Sequence, residues 1–379
     1  MMRVYAKAIL PAGFLANGVS CGIKRKAKLD LALFYSEIPA KASCKFTTNK
    51  IIAAPLVLCK KYLKANKQFQ AIIVNSGNAN CFTGRDGLAD AEESSRTLAR
   101  ASGIKKEAVL VSSTGVIGKR LPLGKIKKSI PELVAGFSVA GIDKAKKAIM
   151  TTDTFVKEIS VKFNVGGKVV TICGVAKGAG MIAPNMATML SFILTDANIT
   201  QKALNRALAD CVEKSFNCIT VDGCMSTNDS VIMLSNGAAG NSLIDTGKNF
   251  IAFVNALRIV CLELAKMIIR DAEGASKFIQ IKIKKAKSFQ EAKKCALAIA
   301  NSNLFKAAMY GENPNFGRIA ASVGASGVDV KERDLKFKVS SLKKKNIFVD
   351  VSLGRGKSCA TVYTSDLTPE YIKINAEYN

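Results

Sequence analysis

The chain has 379 residues, with 56 Lys and Arg against 29 Asp and Glu, a formal net charge of +27, and no histidine. The missing imidazole excludes a Ser-His-Asp or Cys-His relay, His-ligated zinc and a His proton shuttle, so any general base is a carboxylate, a lysine, a thiolate or a free α-amine. With 49% hydrophobic and 22% charged residues the chain is globular, and its length calls for two lobes or one large sandwich.

In chain order, Arg3 and Lys7 precede an apolar stretch that Pro11 and Gly13 cut short, which makes a poor signal peptide. The spacing predicts a helix over 86–101, with Asp86 at its N-cap and Gly103 beyond its end. Thr200 opens another, with Leu204, Leu208, Cys211 and Val212 on one face. Phe250, Phe253, Leu257, Cys261, Leu264 and Ile268 recur at helical spacing, but Arg258, Glu263 and Lys266 interrupt the run, so it does not span a membrane. Ser288 and Glu291 form a capping box before Cys295 and Ile299. Between these lie β-rich runs at 71–74, 108–111, 159–172, 189–194, 231–234, 278–283, 337–340, 347–351 and 360–363. Several have a period of two, which predicts mixed or antiparallel sheets with helices packed outside: an α+β, or layered α/β, protein. The 11 cysteines contain no C-x-x-C and sit mostly in apolar segments, as reduced core residues of a cytosolic protein do.

The lysine runs at 24–28, 282–287 and 343–345 are scattered and carry no interleaved aromatics, zinc-finger spacing or RNP-like segment. They read as solvated faces, and a nucleic-acid partner is not expected. Their summed field favours small anionic substrates.

The segment richest in chemistry is KGAGMIAPNMAT at 177–188, a glycine-rich turn that enters an apolar strand at Thr188. A small residue followed by Thr at the head of a buried strand is the arrangement of a self-cleaving N-terminal nucleophile. The Thr188 hydroxyl attacks the Ala187 carbonyl, the peptide becomes an ester, and hydrolysis frees an α-amine on the same residue as the hydroxyl it must activate. Such an amine, with a pKa of about 7.7 to 8.0, serves as base near neutral pH. From spacing alone the plainer reading, a small pair entering a strand, is the stronger.

The segment resembles the signature of the ornithine acetyltransferases, the bifunctional glutamate N-acetyltransferases of arginine biosynthesis. Similar blocks cover almost the whole chain: GFLANG at 13–18, FTTN at 46–49, NSGNAN at 75–80 with TG at 83–84, SSTGVIG at 112–118 and TTDT at 151–154. After the segment come SFN at 215–217, TVDG at 220–223, STND at 226–229, RDAEGASK at 270–277, NPNFGR at 313–318 and YTSDL at 363–367.

The resemblance implies an α chain of residues 1–187 carrying the oxyanion loop and a β chain of 188–379 starting with the nucleophile. The two are cut from one precursor between Ala187 and Thr188 and pair into a dimer of heterodimers. It implies the fold of self-processing aminopeptidases and ornithine acetyltransferases, and transfer of the acetyl group from N2-acetylornithine to glutamate through an acetyl-Thr188 intermediate. The oxyanion pair falls on Thr114 and Gly115; the substrate contacts fall on Thr151, Lys177, Thr188, Glu273, Asn375 and Asn379. Lys177 suits an α-carboxylate, and Glu273 suits ornithine's side-chain ammonium. Asn78, Asn80, Asn217 and Asp222 are expected as scaffold hydrogen-bonders. No metal and no bound cofactor are implied, although acetyl-CoA is a possible co-substrate in bifunctional members, and the expected compartment is the cytoplasm. The short stretch ahead of the first block leaves little room for a presequence.

Some positions depart from the family pattern. Cys224 and Met225 replace a usual Asp-Thr, Phe316 a usual Trp, and Val156 a common Pro. The family commonly ends in Ser or Thr one residue beyond the position of Asn379. Either Asn379 with its terminal carboxylate stands in for that contact, or substrate affinity is altered. Two other functions remain as alternatives: a related self-processing amidase or aminopeptidase, in which water deacylates the enzyme, and a basic nucleic-acid-binding protein that retains the fold.

Overall fold

Most of the alternating apolar runs become strands, and the two-residue period sorts their faces. A computed structural model describes residues 2–25, 28–183 and 189–377. Two units emerge: Met1–Gly178 with Thr188–Val212 and Ser226–Leu264, and Ala179–Ala187 with Glu213–Met225 and Ala265–Asn379.

Among the described residues, the first unit is built on a nine-stranded mixed sheet. Its order is Arg3–Tyr5, Lys157–Val165, Lys168–Lys177, Leu190–Thr195, Ser230–Ser235, Leu31–Phe46, Phe69–Asn78 and Val109–Val116, with Phe14–Val19 paired to Leu31–Phe46. The run at 159–172, read as one β segment, is a hairpin. Gly166 and Gly167 take φ of +57° and +82°, the two consecutive left-handed residues that a tight antiparallel turn requires. The 16-residue strand Leu31–Phe46 was not foreseen. It leaves Phe69–Asn78 for Ser230–Ser235 through a register shift between Tyr35 and Ala40, where exposed Pro39 has no N–H to give a ladder.

The helix Gly84–Ser102 starts earlier than Asp86 and ends where expected, with Gly103 left-handed at φ +67°. It packs on Val109–Val116 together with Ala54–Ala65. Leu31, Leu33, Phe34 and Phe192 are fully buried in the core, and the rings of Phe34 and Phe192 stack 5.0 Å apart. Each such side chain contributes about 1.5–3 kcal/mol by leaving water.

In the second unit Lys336–Val339, Asn346–Ser352, Phe278–Ala286 and Ser358–Ser365 make a four-stranded sheet, in that order. Ile279, Ile281 and Ile283 alternate inward with no exposure, beside Ile347, Val349 and Val351. The covering helix Phe289–Ala300 begins as the capping box predicts, with the Ser288 hydroxyl accepting the Glu291 N–H at 3.1 Å. The helix Gly247–Arg270 realises the long helical pattern, and no helix among the described residues is long and apolar enough to cross a membrane. No disulfide forms among the described residues; most of the cysteines are buried, with Cys224 and Cys359 exposed.

Candidate active site

In the first unit the parallel strands Phe69–Asn78 and Val109–Val116 run side by side to their ends, with Gly77 opposite Gly115 one residue before each end. Gly115 has φ +131°, and a Cβ there would overlap the backbone of Gly77 and Asn78; the close approach therefore admits only glycine. Beside it Thr114 is 2% exposed. Its hydroxyl oxygen accepts a hydrogen bond from the Lys177 ammonium at 3.3 Å. Lys177, 3% exposed, is the last residue of the strand Lys168–Lys177 and lies opposite Leu190 in the neighbouring antiparallel strand.

A buried cation needs an anion, and Asp153 supplies it. One carboxylate oxygen accepts from the Lys157 ammonium at 2.7 Å and the Gly178 N–H at 2.7 Å; the other accepts from the Thr151 N–H at 2.9 Å. Both Asp153 and Lys157 have fully buried side chains. Burial alone would raise the Asp153 carboxyl, but the Lys177 and Lys157 charges and the Gly178 N–H outweigh it and hold the group well below the usual carboxylate range. Thr114, Gly115 and Lys177 thus share one neighbourhood, and Thr151 joins it through Asp153.

The residue that follows Thr188 in sequence is held on both sides of its backbone. The Met189 N–H donates to the Asp229 carboxylate at 2.9 Å, and its carbonyl accepts from the Ser230 N–H at 3.2 Å. Asp229 is fully buried, and burial pushes its carboxyl well above the ordinary range despite the Met189 bond and the Lys177 charge.

In the second unit Glu273 follows the helix Gly247–Arg270, and its N–H donates to the Ala179 carbonyl at 3.0 Å. Its carboxylate lies over Gly180, where a Cβ would overlap it. The Asn375 amide, on the C-terminal helix Pro369–Ala376, donates to the same carboxylate at 3.0 Å and to the Tyr371 carbonyl at 3.0 Å. Glu273 and Asn375 are therefore brought together, the first half-buried and the second exposed. Ala187, Thr188 and Asn379 lie outside the described residues.

Asp153 and Asp229 received no role from the sequence, although both lie inside quoted blocks. Their signal was present only as an acid among hydroxyl and amide residues; Thr151 and Lys157 lie near Asp153 in sequence, but Lys177 and Gly178, and Met189 for Asp229, are 24 to 40 residues away. Asn78 and Asn80 do act as scaffold bonders, Asn78 donating to the Lys119 and Arg120 carbonyls and Asn80 to that of Gly87.

Comparison with known proteins adds a family. The model of the ArgJ family matches residues 15–343 and 337–379. An arginine biosynthesis bifunctional protein ArgJ from Caldanaerobacter subterraneus subsp. tengcongensis is 45% identical over 98% of this chain and 98% of its own. A glutamate N-acetyltransferase from Methanocaldococcus jannaschii is 43% identical over 97% of each. Among solved structures, an ornithine acetyltransferase from Mycobacterium tuberculosis complexed with ornithine is 38% identical over 48% of this chain and 98% of that one, with a TM-score of 0.45.

Proposed function

The chain belongs to the ArgJ family and is an acyltransferase of arginine biosynthesis, a glutamate N-acetyltransferase, and we propose that its chemistry runs through a threonine that it exposes by cutting itself. The Thr188 hydroxyl adds to the Ala187 carbonyl, the C–N bond breaks as the nitrogen takes the proton, and water hydrolyses the resulting ester. The products are a carboxylate on Ala187 and a free amine and hydroxyl on Thr188. Residues 1–187 and 188–379 remain paired, as α and β chains of a cytoplasmic heterodimer that dimerises again.

In turnover the amine takes the hydroxyl proton while the oxygen attacks the acetyl carbonyl of N2-acetylornithine. The Thr114 hydroxyl and the Gly115 N–H donate to the developing alkoxide, where one such donor is worth about 3 kcal/mol. The tetrahedral species collapses, ornithine leaves with the proton on its α-nitrogen, and the glutamate α-amine attacks acetyl-Thr188 to complete the transfer. Lys177 and Thr151 contact the α-carboxylate end of the substrate; Glu273, with Asn375 and Asn379, receives the ornithine ammonium. The amine base makes a resident metal or cofactor unnecessary. Acetyl-CoA is proposed as a second acetyl donor.

The observation that carries this reading is the Lys177 contact with Thr114. An ammonium only donates, so it occupies a lone pair of the hydroxyl and leaves the hydroxyl hydrogen to point elsewhere, as an oxyanion donor must. The mass spectrum of the purified protein tests it: two fragments of nearly equal size, the second beginning at Thr188, are expected, and an intact, active chain would overturn it. Thr188→Ala is expected to stay whole and to transfer no acetyl group. Acetylglutamate formed from acetyl-CoA without acetylornithine checks the second donor.

A further inference from the structure

We propose that Asp222 is a positioning residue for self-cleavage, fixing the backbone that leads into the Ala187–Thr188 bond; this rests on the self-cleavage proposed above. One Asp222 oxygen accepts from the Met181 N–H at 2.7 Å and from the Tyr371 hydroxyl at 3.2 Å. The other accepts from the Ile182 N–H at 3.0 Å and the Cys224 N–H at 3.0 Å. Ile182 is held from its other side as well, its carbonyl accepting from the Val221 N–H at 2.8 Å and the Thr220 hydroxyl at 3.1 Å. The preceding turn is equally constrained, with the Ala179 carbonyl bound by the Glu273 N–H and Gly180 pressed against the Glu273 carboxylate.

Such anchoring has a visible consequence at Met181, whose φ is +56°. A long, unbranched non-glycine residue enters the left-handed region at a cost, and it persists there only where its surroundings over-determine the backbone. Here the surroundings are the carboxylate that takes its N–H together with the next one. Only five residues separate Ile182 from Thr188. Self-cleavage is an intramolecular attack whose rate depends on placing hydroxyl and carbonyl together, and misplacement by about 1 Å costs on the order of a hundredfold. A carboxylate suits the task because both oxygens only accept; an asparagine would turn an NH2 group toward one of the two donor pairs.

Positioning through the segment before the bond has a signature that a general structural role lacks. Once the bond is cut, the Asp222-held turn is no longer joined to Thr188, while Met189 stays held by Asp229 and Ser230. Asp222 therefore governs the cutting and not the later turnover.

The test follows cleavage of freshly made full-length chain by mass spectrometry, and measures acetyl transfer per chain bearing Thr188 as its first residue. Asp222→Asn is expected to slow cleavage about a hundredfold, and Tyr371→Phe, which removes a single donor, about threefold. Turnover per cut chain is expected to stay within about twofold of wild type in both. Thr364→Val, which removes a buried partner of Lys306 in the same unit, serves as control: it lowers the melting temperature without slowing cleavage. Wild-type cleavage rates in Asp222→Asn, or slowing no greater than Thr364→Val shows at equal loss of melting temperature, overturn the inference. Turnover per cut chain that falls in step with cleavage overturns it too. Should Asp222→Asn not fold, an unslowed Tyr371→Phe does the same. Uncut wild type overturns the self-cleavage reading itself, and this inference with it.

Discussion

In the first unit Asp153 and Lys157 pair with no side-chain exposure at all, whereas in the second Glu273 is half-buried and its partner Asn375 lies in the open. The buried cluster exists only because its charges balance: removing two ions from water costs several kcal/mol each unless they are paired and hydrogen-bonded. Its geometry is therefore set before any ligand arrives. The open pair joins an acid to a neutral amide, so Asn375 can release Glu273 to a cation at small cost. Fixed charges thus stand beside Thr114, and an exchangeable contact stands at Glu273.

The sharpest way to break this contrast is to unbalance the buried side. Asp153→Asn removes a buried negative charge from beside Lys157 and Lys177 and is expected to cost about 3–5 kcal/mol of stability, read as the shift of the denaturant midpoint. Adding Lys157→Met removes one of the two buried cations as well and should recover much of the loss. Asp350→Asn breaks the exposed Lys284 pair, whose side chains are 42% and 43% exposed, and should cost less than about 1 kcal/mol. Equal losses from Asp153→Asn and Asp350→Asn would mean that burial does not set the difference. The pH dependence has a definite sign. Asp153 is depressed in the folded state, so its contribution is full above the ordinary carboxylate pKa and is lost as pH falls through and below that range; Asp153→Asn should flatten the acid limb.

Next in size is the rate effect at Thr114. Thr114→Val keeps the shape and removes the hydroxyl, and the loss of one oxyanion donor is expected to lower acetyl transfer about 10²–10³-fold with little change in KM. A fall of less than about threefold would take the hydroxyl out of the oxyanion role.

What the sequence made legible follows the range of each signal. Local patterns carried over: the helix stop at Gly103, the Ser288–Glu291 box and the alternating strand Phe278–Ala286. Motif blocks, each short and contiguous, singled out Thr114, Gly115 and Lys177, which the fold places in one neighbourhood, and Glu273, which it sets beside Asn375. The strand Leu31–Phe46 was missed since its apolar run has no single period; it serves three partner strands and is buried on both faces at its start. Asp153 and Asp229 were missed as functional groups for the same physical reason. An acid is read as solvated until the lysines and N–H groups that surround it are known, and those come from residues 157, 177 and 189 on other strands or beyond a turn.

A buried cation in the second unit separates burial from location. Lys306 is 2% exposed and donates to the Thr364 hydroxyl at 3.1 Å and the Ser365 carbonyl at 2.6 Å. Burial lowers its pKa to about 8, against the pull of Asp366 and Asp222. The unfolded chain therefore binds more protons than the folded one between about pH 8 and the ordinary lysine value, and this group adds stability as pH rises through that window, up to about 3 kcal/mol. Buried thiols act in the opposite direction, since Cys59, Cys173 and Cys218 are raised to about 12 by burial and stay protonated while unfolded thiols ionise. The difference between wild type and Lys306→Met isolates the lysine: the variant should lose stability more steeply from pH 8 to 10, and parallel curves would show that Lys306 does not titrate there.

The smallest effects are expected at the open pair, and they separate binding from chemistry. Asn375→Ala removes one neutral donor from a half-buried carboxylate, worth about 1 kcal/mol or less, so KM for the acetylornithine donor should rise no more than about fivefold with kcat unchanged. Glu273→Gln also deletes the charge that would face an ammonium and should raise the same KM about tenfold. KM for glutamate, which has no side-chain ammonium, should change much less in either variant. Gly180→Ala provides a geometric check, because its methyl group would displace the Glu273 carboxylate without altering any charge. It should reproduce the donor-side KM rise of Glu273→Gln. A kcat loss in Glu273→Gln comparable to that of Thr114→Val would place Glu273 among the groups that act on the transition state, and the division between a fixed buried side and an exchangeable open one would fail.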